Sequence, residues 1–233
     1  MKTDISGLKA DTREFLIGKY SSFFGILFLY FLFTLAAELI PMYFFNGTDL
    51  LNILFKYAVA FLLSLLLSMA SVGFIKVSFD SLNGTKFSAG DLFFAFKYSA
   101  DQFVIIQLIL TVIRIICTTP LFILVFFADS EMSMLMYYGL YIICAAVSII
   151  LTMAFSLAFI WADYFLIDDL TLTAKEALKK SLAFSKGRLF EMFKMKISFI
   201  GLYILSVCSI FTGFLYVKPY MEVTFVKYYQ QNR

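Results

Sequence analysis

Five long apolar runs, divided by short charged connectors, set the pattern of this chain. Tyr20 to Ala37 carries no charged residue and closes at Glu38 and Pro41, and Tyr57 to Ile75 repeats the pattern, with Leu51 to Phe55 extending it upstream. Phe103 to Phe127 is interrupted only by Arg114 and is expected to bend or loosen near Pro120, while Met132 to Ala162 and Ile197 to Val217 are uncharged throughout. A bilayer crossing needs roughly 20 mainly apolar residues. The pattern therefore predicts spans near 20–41, 51–76, 103–127 and 134–162. The last tract reads either as one span with an external tail or as a hairpin turning near Thr212-Gly213. The hairpin gives two more spans, near 190–210 and 212–230.

Shorter amphipathic segments lie between the runs. Thr173 and Glu176 form a T-x-x-E capping box, each side chain placed to satisfy a backbone N–H left open by the first helical turn. Ala174, Ala177, Leu178, Leu182 and Phe184 follow as an apolar stripe, with a turn at Ser185 to Arg188. Phe87 to Asp91 repeats the pattern apolar-[S/T]-A-x-acid of Leu172 to Glu176, and residues 5–19 offer a poorer third copy with Leu8, Phe15 and Leu16 on one side. Three units follow, each an interfacial helix plus a transmembrane hairpin.

Charge fixes the orientation. Residues 1–19 hold four basic side chains, 76–101 hold three and 167–196 hold seven, whereas 41–50, 128–134 and 208–213 hold none. Lysine and arginine collect on the cytoplasmic side, so the N-terminus is expected inside. Six spans also return Lys227 and Arg233 to the basic side, which decides for the hairpin. The expectation is an all-α, polytopic transmembrane helix bundle of about six spans with short interfacial amphipathic helices. It forms a single integral domain over 1–233, with both termini cytoplasmic.

Composition agrees with a lipid environment. The chain is 62% hydrophobic and 15% charged, with mean hydropathy +0.90, against about a quarter charged for soluble domains. Thirty Phe and fourteen Tyr would leave large apolar patches in water. Histidine is absent, which removes the commonest general base and the commonest metal ligand. Cys117, Cys144 and Cys208 fall in separate runs without C-x-x-C spacing and read as packed thiols. No P-loop, G-x-S-x-G, H-E-x-x-H or dinucleotide fingerprint occurs. The sequence thus points to no enzyme, no cofactor and no metal site.

Arg114 is the most unusual residue, a charge near the middle of a span that needs a partner inside the bundle. Glu222 lies at similar depth if the sixth helix forms, and Lys218 is one turn from Glu222. The favoured reading is a buried pair fixing helix register, and the functional alternative is a polar path through Arg114 and Glu222. Asp163, Asp168 and Asp169 read as solvated charges at a span end. Lys175, Lys179, Lys180, Lys186, Arg188, Lys194 and Lys196 form a cytoplasmic, lipid-facing basic segment. Each such charge is worth about 1 kcal/mol beside an anionic leaflet. The expected partners are the bilayer, its anionic inner-leaflet lipids and a membrane protein, but no nucleic acid.

The motifs K-E-A-L-K-K-S (175–181), F-S-K-G (184–187), I-S-F-I-G (197–201) and K-P-Y (218–220), then Tyr228-Tyr229, resemble the bacterial membrane family called domain of unknown function 975. G-F-I-K-V-S-F-D (73–80) and D-L-F-F-A-F (91–96) look like its middle region. The chain departs from that pattern at Pro120-Leu121, Leu202 and Asp169-Leu170. The resemblance implies a multi-pass protein of the bacterial cell membrane with no settled biochemical role. The leading functional expectation is a non-enzymatic membrane factor that supports or regulates a partner or an envelope function. The alternatives are a small transporter or exporter component, and an immunity or self-protection protein.

The topology has a direct test. Single cysteines at Asp49 and Ser130 should react with an impermeant thiol reagent from outside, and cysteines at Ser185 and Gln231 only from inside. Labelling of 49 and 231 from one side would refute six spans.

Overall fold

A computed structural model describes residues 4–47, 49–127, 133–209 and 213–233. The connection expected at 128–134 falls mostly outside these residues, as do Thr212 and Ser130. Among the described residues all regular elements are helical: α1 (Ile5–Leu16), α2 (Tyr20–Phe44), α3 (Leu50–Leu82), a 3-10 turn (Ala89–Phe93), α4 (Phe94–Lys97), α5 (Ala100–Phe127) and α6 (Met134–Phe159) come first. They are followed by α7 (Trp161–Asp168), α8 (Ala174–Ser185), α9 (Leu189–Ile197), α10 (Ile200–Cys208) and α11 (Phe214–Asn232).

Among the described residues four helices are long and apolar enough to cross a membrane: Tyr20–Phe44, Leu50–Leu82, Ala100–Leu124 and Met134–Asp168. Two overrun the expected bounds: α3 continues past residue 76 to Leu82, and the fourth runs on through Ile160 to Asp168. Helix α5 passes through Pro120 without a break. The tract at 190–210 is two nine-residue helices separated at Ser198-Phe199, so no single continuous helix covers it.

The last tract does turn back on itself. Arg188 meets Asn232, Glu191 meets Tyr228, Phe199 meets Tyr220 and Tyr203 meets Phe214. The partners' numbers fall as the first numbers rise, which is the mark of an antiparallel hairpin between α9–α10 and α11.

Both helix junctions have a satisfied backbone. At the α6–α7 junction, the Ser181 and Ser185 hydroxyls of α8 donate to the Ala158 carbonyl at 2.9 and 3.0 Å. At the α9–α10 break, the Lys9 ammonium donates to the Ser198 carbonyl at 3.0 Å. Breaks inside an apolar medium survive only where neighbours supply such partners. Ser185 is therefore buried and unsuitable as an accessibility probe, and Lys186, which is exposed, takes its place. On α8 the docked face is Ala174, Ala177, Ser181 and Ser185, while Leu182, expected in the stripe, is exposed.

Both capping boxes form. The Glu176 carboxylate accepts the Thr173 N–H at 2.9 Å, and Asp91 accepts the Ser88 N–H at 2.7 Å. The Thr173 backbone and hydroxyl hold the Glu176 carboxyl below its ordinary range, and Thr171 does the same for Asp169. The second box opens a 3-10 turn rather than an amphipathic helix, so the repeat is imperfect.

Packing is concentrated at one end. Hydrogen bonds there tie Lys227 to Asp11, Gln230 to Asn83, Ala174 to Gln102, Ser99 to Leu170 and Tyr229 to Asp168. Segments from all the basic stretches thus meet. Trp161 sits at the centre, stacked on Tyr228 and Tyr229 and against Phe184 and Tyr164, with its indole N–H directed at Met192 Sδ. The far end is open: Leu50 is 81% and Leu135 88% exposed, whereas Trp161 and Phe74 are fully buried. Helix α3 shows the gradient within one element, since its buried residues all lie between Met69 and Ser81. In water such a far end would aggregate; in lipid it is solvated.

Gly73 permits the close approach of α3 to the 3-10 turn, because a Cβ there would lie 2.2 Å from the Leu92 carbonyl oxygen. Alanine would favour the helix by about 1 kcal/mol, but the contact is backbone and cannot swing away. Gly73→Ala should destabilise the protein by about 1–3 kcal/mol, read as a lower unfolding temperature in detergent. Unchanged stability would mean the turn is not docked there.

Candidate functional site

A cavity of about 250 Å³ lies between α3, α5, α6, α7, α9 and α11. Its walls carry Gln107 and Arg114 from α5, Thr152 and Ser156 from α6, Asp163 and Tyr164 from α7, Lys196 from α9 and Glu222 from α11. It is the polar interior of a bundle whose outer surface is apolar.

The elements explain how the charges converge. Gln107 and Arg114 stand two turns apart on α5 and so look the same way. Continuation of the fourth long helix past Ile160 carries Asp163 into the bundle, and antiparallel return of α11 brings Glu222 to the same cavity as Lys196. Asp163 and Gln107 are both buried, and the Gln107 amide donates to both carboxylate oxygens, at 3.0 and 2.9 Å. The Tyr164 hydroxyl donates to Glu222 Oε2 at 3.2 Å. Lys196 Nζ reaches Ser156 Oγ at 3.4 Å.

The structure brings Arg114 and Glu222 to one cavity but does not pair them. No carboxylate lies within 4.0 Å of Arg114 among the described residues. Lys218 acts on Glu222 through its charge but does not touch it; its ammonium stands 4.3 Å from the Tyr30 ring centre and 5.5 Å from that of Phe74. Aromatic faces satisfy that cation where a carboxylate was expected. Asp163 corrects a second expectation: the helix runs to Asp168, so Asp163 lies inside the bundle rather than at its solvated rim. Asp168 itself closes the packed end, taking Tyr229 and Arg233.

The basic segment divides. Lys175, Lys179, Lys180, Lys186 and Lys194 are exposed. Arg188 instead donates to the Asn232 carbonyl at 3.1 Å and covers the Phe184 ring. Lys196 faces the cavity and does not belong to the outer surface. Among the described residues no group of three or more His, Cys, Asp or Glu gathers to hold a metal.

Sequence reasoning missed Gln107, Tyr164 and the inward Asp163. The i, i+7 spacing of Gln107 and Arg114 in an otherwise apolar run was the available signal. Nothing local announced that the fourth helix would continue past residue 162 and bury Asp163.

The fold is all-helical, with apolar helices long enough to cross a membrane enclosing a polar chamber. The family model described as Protein of unknown function (DUF975) matches residues 1–233, and the chain is a member of that family. No curated protein and no solved structure matches it.

The Gln107–Asp163 pair can be tested by a double-substitution cycle. Gln107→Leu leaves a buried carboxylate without its donor and should cost about 3 kcal/mol or more. Gln107→Leu combined with Asp163→Leu replaces both partners by apolar groups and should recover most of that loss in thermal unfolding. Strict additivity of the two losses would show that the residues do not interact.

Proposed function

We propose that this protein is a non-enzymatic, multi-pass protein of the bacterial cell membrane that binds a small polar solute and passes it through the chamber. In this reading the chain crosses six times, with both termini and the packed basic end cytoplasmic. The two crossings beyond the four long helices come from the α9–α10 and α11 hairpin, whose limbs span about 30 Å at 1.5 Å per residue. Lys175, Lys179, Lys180 and Lys186 then face anionic inner-leaflet lipids. Lys227 near Asp11 and Arg233 near Asp168 place the C-terminus beside the N-terminal helix, which supports an even number of crossings.

One observation carries the transport reading: five helices besides α3 each contribute a polar or charged side chain to one cavity. A register-fixing ion pair would need two such residues in contact, and Arg114 and Glu222 are not in contact. Ionisable groups at this depth characterise substrate and proton routes. The reading as a factor that supports a partner rests on the open apolar end, a surface that lipid covers equally well.

Proteoliposomes under an imposed pH gradient or membrane potential discriminate the two. Arg114→Gln and Glu222→Gln should each lower the flux of protons or of labelled small solutes by about tenfold or more, with folded yield unchanged. Yield that falls with no flux defect would return the charges to a structural role and favour the partner-supporting reading.

A further inference from the structure

No cation of the chamber touches a carboxylate among the described residues. Each carboxylate is held at contact distance by a neutral donor, Asp163 by the Gln107 amide and Glu222 by the Tyr164 hydroxyl. The Arg114 guanidinium makes no hydrogen bond or ion pair among the described residues, and the Lys196 ammonium contacts only Ser156 Oγ while Glu222 attracts it from across the cavity. A charged side chain among apolar helices is costly unless it is paired in contact. In this chain the two cations face shared space.

That space also contains an unsatisfied hydroxyl. Thr152 Oγ1 is buried and has no hydrogen-bond partner, and Thr152 lines the cavity one turn from Ser156. Buried hydroxyls are normally satisfied, so its position calls for an acceptor. Arg114, Lys196 and Thr152 together offer donors from three helices. A guanidinium fork with an ammonium is the usual protein answer to a planar or tetrahedral oxyanion.

A simple anion does not fit the whole chamber. Asp163 and Glu222 lie in the same walls and would repel it, whereas they retain lone pairs for a donor. The complementary ligand therefore carries both signs. The volume, about 250 Å³, corresponds to roughly eight waters at liquid density, which admits a small molecule or a headgroup.

We infer that the chamber binds a zwitterion, with its oxyanion on Arg114 and Lys196 and its ammonium on Asp163 and Glu222. This assignment rests on the chamber being a binding site, as proposed above. The same chemistry occurs in free amino acids and phosphoethanolamine and in the headgroup of phosphatidylethanolamine. Arg114 is exposed on the outside of the protein while lining the cavity, so entry beside α5 is open from the lipid side as well.

The test uses the purified full chain and the unfolding temperature as readout. Glycine and O-phosphoethanolamine are titrated in detergent, and nanodiscs of phosphatidylcholine are compared with nanodiscs containing phosphatidylethanolamine. Stabilisation by the free zwitterions identifies a solute site, and stabilisation only by phosphatidylethanolamine identifies a headgroup site. In either case Arg114→Gln and Lys196→Gln should weaken apparent affinity at least tenfold. Arg114→Lys should retain part of it, and the surface control Lys179→Gln all of it. Inorganic phosphate, lacking the ammonium, should bind at least tenfold more weakly than O-phosphoethanolamine.

No shift with any zwitterion in folded wild-type protein overturns the assignment, as does a shift that survives both glutamine variants. Binding without flux in proteoliposomes would keep the site and remove transport. Flux of protons with no zwitterion binding would keep transport and remove this ligand.

Discussion

The constraint on which this structure depends is that a polar group held among apolar helices must find its partner within the protein. Water satisfies stray carbonyls on a soluble protein's surface; hydrocarbon cannot. That requirement explains why α8 is seated where it is. Its serines reach the Ala158 carbonyl at the junction of α6 and α7. Lys9 plays the same part at the α9–α10 break. Two helices outside the long apolar set are thus held by the defects they repair.

The same long helix also walls the chamber. Ile160 keeps right-handed helical backbone (φ −54°, ψ −31°), so the turn of the helix carries on from Met134 to Asp168. One side of α7 then supplies Trp161 to the aromatic centre, and another supplies Asp163 to the cavity. Packing and polar interior are therefore coupled through a single short helix. A change at Ser181 or Ser185 acts on the chamber without touching it.

Much of this was legible in the residues. The apolar runs, the capping boxes and the uneven distribution of lysine and arginine predicted an all-helical bundle, its four longest helices and the gathering of basic segments. The hairpin at the C-terminal tract was chosen on charge alone, and the contacts between Arg188 and Asn232 and between Tyr203 and Phe214 carry it. What escaped were properties of pairs distant in sequence. Gln107 and Asp163 are separated by 56 positions, so neither reveals that the other will satisfy it. Lys218 illustrates the converse: its spacing to Glu222 suggested an ion pair, but Tyr30 on another helix offered a ring face. Lys196 sat in a run of surface cations with nothing local to distinguish it.

The way α1 and α11 close the packed end bears on synthesis. Tyr220 and Lys227 of α11 bond to the backbone of Lys9 and Asp11, and Tyr228 and Tyr229 complete the Trp161 stack. The two bonds to α1 join positions 211 and 216 residues apart, an interval of roughly 10 to 40 s at ordinary ribosomal speed, whereas Trp161 waits for only 67 or 68 more residues. The N-terminal helix therefore stays without its packing partner through nearly the whole of synthesis.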